Sequence, residues 1–269
     1  MKRVVFNQKG GVGKTSITCN LAAISAASGY RTLVIDLDVQ GNTTHYLVGE
    51  IDAEAFPAEA QGVAGLFKQT VGSRRMRQNP DSFVWETPYE NLYLMPSSPV
   101  LSDMEKELES RYKIYKLRDA LDKLVEEYDR IYIDTPPNFN FYSKSALIAA
   151  DTVLVPFDCD SFARQSLYSL MDNIAELQED HNPKLTVEGI IINQFNSQAR
   201  LPAELVNELE EEGYPVIGAY LNTSVKMKES HREHRPLIDL APSHKLTGQF
   251  LDLYSELESA ISKSRNRAA

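Results

Sequence analysis

The segment NQKGGVGKTS, residues 7–16, combines the residue types that bind the phosphates of a nucleotide. Glycines allow backbone N–H groups to turn inward around phosphate oxygens. Lys14 supplies positive charge for these phosphates, and the hydroxyl of Thr15 is a ligand for Mg²⁺. A glycine turn that only joined a strand to a helix would explain the glycines but not this lysine–threonine pair. The segment therefore predicts nucleotide contacts from Gly10, Gly11, Val12, Gly13, Lys14, Thr15 and Ser16.

Two later segments supply carboxylates. LVIDLDVQGN contains Asp36 and Asp38, and IYIDTPP places Asp134 at the end of an apolar run. Ligands of open α/β sheets gather at the carboxyl ends of the strands, where a carboxylate can hold Mg²⁺ through a water. Aspartate is also common in turns at strand ends, and this alternative applies to Asp36 and Asp38. An apolar run that ends in aspartate is a weak signal alone, but it is strong after a P-loop.

These candidate residues require strands that alternate with helices. Helical periodicity predicts helices at about 15–28, 102–128, 162–179, 202–212 and 243–261. The apolar runs between them predict a mostly parallel, twisted α/β sheet with helices on both faces. We predict a single domain over residues 1–269, with 264–269 as a flexible tail. The predicted strands are KRVVFN (2–7), RTLVID (31–36), NLYLMPSS (91–98), RIYIDTPP (130–137), DTVLVPF (151–157), LTVEGIIIN (185–193) and YPVIGAYL (214–221).

The composition limits the class of protein. A net charge of −10 argues against a protein that is basic all over, but a local basic patch is compatible with it. No apolar run approaches the ~18 residues of a membrane span. Cys19 and Cys159 have no metal-ligand spacing and are predicted to be buried, reduced thiols of a cytoplasmic protein. The irregular segment 50–90 carries Arg74, Arg75 and Arg77, which could contact DNA, a partner protein or water.

A second lysine narrows the type of nucleotide site. KGGVGKT, residues 9–15, resembles the deviant Walker A motif KGGxGKT of the ParA/MinD family of P-loop ATPases. The resemblance implies a P-loop NTPase fold and a homodimer with ATP and Mg²⁺ sandwiched between its subunits. Lys9 would then act on the partner's nucleotide while Lys14 acts on its own. A second lysine offsets phosphate charge that would oppose closure of a dry interface. Without the resemblance, Lys9 would be interpreted as a solvated surface lysine.

The remaining motifs extend this resemblance along the chain. LVIDLDVQGN is similar to the family's switch I segment DxDPQGN, although Val39 replaces the proline. The match implies that Asp36 lies near the metal and that Asp38 is the catalytic aspartate that orients the attacking water. Asn193, and Asn222 after the last predicted strand, would lie near the adenine edge. A simple strand-end cap is the alternative interpretation of Asn193.

The segment SVKMKESHREHRPLI, residues 224–238, resembles a family segment that binds DNA in ParA-like proteins. Lys226 stands at the family's arginine, and Arg200 lies two residues from the position of a second one. With these two, the predicted non-specific contacts to double-stranded DNA come from Lys228, Arg232 and Arg235. A solvated loop of mixed charge is the alternative. The histidines at 231, 234 and 244 are predicted to be surface residues rather than metal ligands.

The resemblance therefore predicts a slow, partner-stimulated ATPase that positions a cargo. It implies a bacterial cytoplasmic protein, associated with the nucleoid and activated by a ParB-like or other cargo adaptor. Because the chain begins at its P-loop strand, we expect no N-terminal helix-turn-helix extension and no promoter-specific autorepression. Other interpretations are a MinD-like membrane-associated ATPase, a metabolic P-loop enzyme and a degenerate binding module. The acidic middle of the last helix argues against membrane binding.

Overall fold

The computed structural model describes residues 1–49, 61–71, 77–159, 163–195 and 200–268. In these residues, seven strands form one sheet in the order β3-β4-β2-β5-β1-β6-β7. All neighbouring pairs are parallel except the short edge pair of β3 and β4. The predicted mostly parallel α/β sheet is therefore confirmed. The strands are β1 (Lys2–Val5), β2 (Thr32–Asp36), β3 (Trp85–Glu86), β4 (Leu92–Met95), β5 (Arg130–Asp134), β6 (Thr152–Asp158) and β7 (Thr186–Asn193).

Helices cover both faces of this sheet. Alternate residues of each strand enter separate cores, as Val4 and Val5 of β1 show, because successive side chains of a strand point to opposite faces. A single-turn 3₁₀ helix spans Pro80–Phe83. The α-helices are α1 (Lys14–Ala27), α2 (Asn42–Val48), α3 (Gly62–Val71), α4 (Leu101–Ser110), α5 (Lys116–Leu124), α6 (Phe141–Ala149), α7 (Ala163–Asp180), α8 (Arg200–Glu211), α9 (Val225–Arg232), α10 (Leu237–Leu240) and α11 (Lys245–Ala268).

The two cores divide the helices by the face of the sheet that they cover. One core joins α1 and α2 with the 217–257 region, including Leu237, Phe250 and Leu253. The other lies under α3 to α8 and contains Phe67, Leu121 and other large side chains. The P-loop helix and the predicted DNA-binding segment thus pack on the same face of the sheet. None of the helices described here is both long and apolar enough to cross a membrane.

Two predicted elements were wrong in extent. The helix predicted at 102–128 is two helices, α4 and α5, separated by a turn in which Tyr112 has a φ of 53°. A non-glycine residue in this left-handed region ends the helical path. Leucines recur at helical spacing on both sides of Tyr112, so the sequence pattern did not reveal the break between α4 and α5.

The strand predicted at 214–221 forms only one isolated bridge, Ile190 with Val216, and Asn222 just after it bridges Phe195. Its middle is diverted from the sheet because the N–H groups of Gly218 and Ala219 donate to the Glu256 carboxylate of α11, at 3.0 and 3.1 Å. Strand periodicity cannot reveal a carboxylate that takes these N–H groups. The C-terminal tail, predicted to be flexible, continues α11 to residue 268. Arg74 and Arg75 lie outside the described residues.

Candidate nucleotide-binding site

The carboxyl ends of the central strands bring the predicted site residues to one edge of the sheet. β2 and β5 lie in a register that pairs Asp36 with Asp134. β1 lies beside β5 and leads into the P-loop, and β6 and β7 end at Asp158 and Asn193. Since all these strands are parallel, the two carboxylates, the glycine loop and the asparagine meet at the same edge.

The P-loop adopts the curved backbone that its glycines predict. Gly11 and Gly13 have φ values of 78° and 93°, which residues with a Cβ rarely adopt. Lys14 begins α1 and is 7% exposed, and its Nζ donates to the carbonyl of Lys9 at 3.1 Å. Burial lowers the pKa of Lys14, while the carboxylates of Asp134 and Asp38 oppose this shift. The loop therefore places a buried ammonium and the N-terminal N–H groups of a helix around one space that suits phosphate.

Two amides from the end of β7 brace this loop from outside. Asn193 Nδ2 donates to the carbonyl of Val12 at 2.8 Å, and Gln194 Nε2 donates to that of Gly11 at 2.8 Å. A Cβ on Gly13 would lie 2.2 Å from Asn193 Nδ2, so Gly13 is required by contact as well as by its φ. Asn193 thus supports the P-loop, a role beyond its predicted contact with adenine. The sequence carries no signal for Gln194, whose contact depends on a φ of 54°.

Asn222 lies near this region and is held by other side chains. Its Nδ2 donates to the carbonyl of Phe195 at 3.2 Å, and its Oδ1 accepts a hydrogen bond from Gln249 of α11. Its backbone N–H donates to the same glutamine at 3.1 Å. The structure therefore places Asn222 beside the end of β7, with its amide fixed by α11.

The predicted metal ligands are held together by hydroxyl groups. Thr15 Oγ1 donates to Asp134 Oδ2 at 2.7 Å, and Thr43 Oγ1 of α2 donates to the same oxygen at 2.7 Å. Both N–H and Oγ1 of Thr44 donate to Asp36 Oδ2, at 2.8 and 2.7 Å. Sequence reasoning missed Thr43 and Thr44. These two residues directly follow the QGN segment and lie in the first turn of α2. These bonds fix both carboxylates relative to the P-loop.

The charge of the site fits a divalent cation. Asp36 and Asp134 are fully buried, and burial raises the pKa of both carboxyls. The neighbouring charge of Asp134 raises the pKa of Asp36 further, whereas Thr43, Thr15 and Lys14 partly offset the rise at Asp134. A cation would relieve this repulsion and favour ionisation of both. Thr15 Oγ1 and the Asp134 carboxylate would hold Mg²⁺, and the metal would neutralise phosphate charge.

Asp38 stands beside this pair with its own orientation fixed. Its N–H donates to Asp36 Oδ1 at 3.1 Å, and its Oδ1 accepts from the N–H of Gln40 at 3.0 Å. Ser97 Oγ donates to its carbonyl. At 9% exposure the carboxylate faces a restricted volume near Lys14. This geometry suits a group that orients one water molecule.

Lys9 differs from Lys14 in being accessible. Its ammonium is 3.8 Å from the Asp158 carboxylate, and its side chain is 36% exposed. Its backbone N–H donates to Asn7 Oδ1 at 2.9 Å, which fixes the front of the loop. The two lysines of the loop thus occupy different positions, one inside the phosphate space and one at its mouth.

Four of the five predicted DNA-binding residues lie on α9 or just after it. Lys226 pairs with Glu229, Arg232 with Glu233 at 2.9 Å, and Arg235 with Asp239 at 2.7 Å. Lys228 is exposed, and the residues that the structure describes include no ion-pair partner for it. Arg200 is the first residue of α8, and its side chain lies outside the described set.

One prediction for this segment was wrong. His231 is not a surface residue, because its Nε2 lies 2.8 Å from Ser16 Oγ of the P-loop helix and its ring stacks on Tyr46. His234 Nδ1 lies 2.9 Å from the carbonyl of His45, in an exposed contact. The charged and apolar pattern of α9 could not show which neighbour its histidines meet. The described residues include no cluster of three or more His, Cys, Asp or Glu that could hold a metal.

Comparison with known proteins agrees with this geometry. A family model described as an AAA domain matches residues 2–187. The chromosome partitioning protein ParA of Myxococcus xanthus is 33% identical over 238 residues, which are 87% of this chain and 79% of that protein. This chain belongs to the ParA/MinD family of P-loop ATPases. The predicted family and fold class are confirmed.

Solved structures show the same fold with nucleotides bound. An ATP complex of a McdA variant from Cyanothece has a TM-score of 0.81 and 24% identity and covers 96% of each chain. The cobyrinic acid a,c-diamide synthase of Mycobacterium smegmatis, solved with an ATP analogue and magnesium, has a TM-score of 0.73 and 27% identity. It covers 86% of this chain and 91% of the synthase. These neighbours carry the two cofactors predicted here, ATP and Mg²⁺.

Proposed function

We propose that this ParA-type ATPase closes into a homodimer around two Mg·ATP molecules and positions a cargo by partner-stimulated hydrolysis. The difference between Lys9 and Lys14 is the observation that carries the proposal. Lys14 is buried inside the phosphate space of its own chain. Lys9 stands at the mouth of the loop with a side chain that is 36% exposed and an ammonium 3.8 Å from the Asp158 carboxylate. In a closed dimer, Lys9 leaves Asp158 and contacts the phosphates of the partner's nucleotide.

Hydrolysis rests on residues that position rather than react. Lys14 and the N–H groups of the loop bind the phosphates, Thr15 and Asp134 hold Mg²⁺, and Asp38 orients the attacking water. Such positioning and charge stabilisation account for most of the catalysis in P-loop enzymes. With one carboxylate and no donor from a partner protein, turnover is slow. An adaptor, ParB-like or of another type, increases it by completing the site.

The proposed DNA-binding surface of the dimer consists of α9 and the residues that follow it. Lys226, Lys228 and Arg232 place positive charge on one short helix of an otherwise acidic protein. Each subunit alone makes few phosphate contacts, but two copies held in one dimer bind as a unit. ATP-dependent dimerisation would thus switch non-specific DNA binding on, and hydrolysis would release it. The proposed cargo is a chromosome or plasmid complex or a protein assembly, and the relatives named chromosome partitioning proteins support the first of these.

The dimer is tested in an Asp38→Ala background, where hydrolysis is removed and the closed state accumulates. With Mg·ATP, sedimentation analysis should show Asp38→Ala as a dimer and Asp38→Ala/Lys9→Ala as a monomer that still binds ATP. Asp38→Ala/Lys123→Ala is the matched control, because Lys123 is an exposed lysine on α5, on the opposite face of the sheet. A dimer that forms equally well without Lys9 contradicts the assignment of this lysine.

DNA binding is tested against membrane binding with the same Asp38→Ala dimer. It should bind a 60-base-pair duplex of random sequence only with ATP, and it should not sediment with anionic vesicles. ATP-dependent vesicle binding without DNA binding would instead establish a MinD-like, membrane-acting protein. Removal of ATP provides the control for each arm.

A further inference from the structure

His231 and its neighbours form a partly buried polar contact between the nucleotide site and α9. His231 Nε2 is 2.8 Å from Ser16 Oγ, and its ring stacks on Tyr46 with centroids 4.4 Å apart and an interplanar angle of 17°. Ser16 follows Thr15 in the first turn of α1, and Tyr46 lies on α2. We call Ser16, Tyr46 and His231 the histidine contact. The histidine contact joins α1, which follows the P-loop, and α2 to α9.

The surrounding polar groups are satisfied within the same interface. Asn20 of α1 donates through Nδ2 to the carbonyl of Ser16 at 2.8 Å and to the Tyr46 hydroxyl at 3.2 Å. Its Oδ1 accepts from the N–H of Leu237, at the start of α10, at 2.8 Å. The Tyr46 hydroxyl also bonds to Ser230 Oγ, and both side chains are at most 1% exposed. Buried polar groups are costly to leave unpaired, so this network resists displacement of α9 relative to α1.

The two sides of the contact carry different parts of the proposed cycle. α1 begins with Lys14, Thr15 and Ser16, which are predicted to contact the phosphates. α2 supplies the Thr43 and Thr44 hydroxyls that hold Asp134 and Asp36. α9 presents Lys226, Lys228 and Arg232 on its outer side while His231 and Ser230 face inward. One helix thus bears both the candidate DNA surface and a direct hydrogen bond to the P-loop.

The chemistry of the Ser16–His231 bond makes it sensitive to phosphate. If Ser16 donates its only proton to His231 Nε2, it has none for a ligand. With the Nε2–H tautomer, His231 donates instead, and the Ser16 proton is available to a phosphate oxygen. Burial lowers the pKa of His231, which favours the neutral ring that this exchange requires. Bound phosphate therefore favours donation from His231 Nε2–H to Ser16 Oγ. The ring stacked on Tyr46 then has to be in the Nε2–H tautomer.

We propose that His231 is a positioning residue that orients the Ser16 hydroxyl toward the nucleotide and couples nucleotide occupancy to the placement of α9. Coupling of this kind is reciprocal, so α9 bound to DNA raises affinity for ATP by the factor by which ATP raises affinity for DNA. The DNA part of this inference rests on the proposed function. The effect of His231 on nucleotide affinity does not.

The test separates the hydrogen bond from the packing. His231→Phe keeps a ring against Tyr46 but removes Nε2, and His231→Gln restores a polar group near the position of Nε2. The matched control is His181→Phe, because His181 Nδ1 bonds to the Tyr115 hydroxyl at 2.9 Å under the opposite face of the sheet. Affinity for a fluorescent ATP analogue with Mg²⁺ is measured for each variant, together with Tm and the ratio of kcat to KM.

The expected result is specific to His231. His231→Phe should weaken ATP binding about 3- to 10-fold, the range of one hydrogen bond, with a Tm near that of the parent. His231→Gln should recover most of this loss, and His181→Phe should bind ATP normally. If His231 acts through Ser16, the double variant Ser16→Ala/His231→Phe should bind ATP no more weakly than Ser16→Ala alone. Fully additive losses, or equal losses in the phenylalanine and glutamine variants, overturn the proposal.

A DNA arm measures the coupling itself. The ratio of duplex affinities with and without a non-hydrolysable ATP analogue should fall about 3- to 10-fold in His231→Phe. If the parent binds no DNA, the proposed function fails while the nucleotide arm still decides the role of His231. Unchanged ATP affinity in a folded His231→Phe protein overturns the inference whatever the DNA result. Should this variant not fold, His231→Asn, whose shorter side chain does not reach Ser16, takes its place in every arm.

Discussion

The nucleotide edge of the sheet and the outer side of α9 hold their charges in opposite ways. At the nucleotide edge, Lys14, Asp38 and Asp134 are at most 9% exposed, and neutral hydroxyls and N–H groups hold the carboxylates. On α9, the side chains of Lys226 and Arg232 are 31% and 76% exposed and pair with glutamates close in the sequence. The nucleotide edge holds its charged side chains in place before a ligand binds. The charged side chains of α9 remain mobile in water.

This difference has a physical consequence for binding. Buried charges in a region of low dielectric interact strongly with a ligand and cannot reorganise, which suits positioning for chemistry. Exposed ion pairs near a surface are weak and easily exchanged for phosphate contacts. Such a surface binds many DNA sequences with affinity that depends on salt. Substitutions at the nucleotide edge should therefore have large, specific effects, and those on α9 small, salt-dependent ones.

Lys14→Ala should give the largest loss. It removes the buried ammonium that faces the phosphates and leaves the Asp134 and Asp38 carboxylates without their cation. We expect ATP affinity to fall at least 100-fold, equivalent to about 3 kcal/mol, with hydrolysis undetectable. Titration calorimetry with Mg·ATP measures the first effect and phosphate release the second. A variant that binds ATP within tenfold of the parent would show that the loop N–H groups dominate.

Gly13→Ala tests the geometric support of the loop. The new Cβ would lie 2.2 Å from Asn193 Nδ2 at a φ of 93°. Strain of about 1–3 kcal/mol is expected, with a lower Tm and roughly tenfold weaker ATP binding. Asn193→Ala in the same chain should relieve the contact but not the φ, so recovery should be partial. Gly248→Ala is the control, because nothing lies within 4 Å of its added Cβ, and its Tm should stay level or rise.

Lys228→Ala tests the exposed region. Provided that the dimer binds DNA, each lost phosphate contact should reduce the slope of log affinity against log salt by about 1, hence about 2 for the dimer. ATP-dependent dimerisation should be unchanged. Lys123→Ala, with the same loss of charge on the opposite face, should leave the slope as in the parent. An equal loss in both variants would mean that net charge, rather than α9, sets affinity.

The pH dependence of metal binding tests the buried carboxylates. Their folded pKa values are raised above the unfolded value of about 3.9, so their contribution to the free energy of unfolding is complete at low pH. In the metal-free protein it is lost as pH rises from about 4 to the folded pKa values, about 6 for Asp134 and about 8 for Asp36. Mg²⁺ competes with these protons, so the gap in Tm between Mg²⁺ and EDTA should widen over this range. A change of a few degrees is expected, since about 1 kcal/mol shifts Tm by about 2–4 °C.

Asp36→Asn provides the control for this prediction. It removes one charge of the pair, and the Tm gap should then vary much less with pH. A gap that is constant between pH 6 and 8 in the parent would contradict strong repulsion between Asp36 and Asp134.

The sequence by itself determined the parts of the site that lie within single segments. The P-loop, the aspartates of β2 and β5 and the mostly parallel sheet follow from local residue types and hydrophobic periodicity. Periodicity failed where a local break or a distant side chain intervened. Tyr112 divides a predicted helix, and Glu256 takes the N–H groups of a predicted strand.

Only the tertiary structure decided the contacts between segments. Asn193 and Gln194 brace the P-loop, Thr43 and Thr44 hold the carboxylates, and His231 meets Ser16 from 215 residues away. A single sequence records which groups are present but not which faces of two helices meet. That choice depends on how both cores pack on the sheet, because a buried polar group is stable only where the fold provides its partner. The chemistry of the nucleotide site could therefore be predicted from the sequence, but the contact between Ser16 and His231 that links this site to α9 could not.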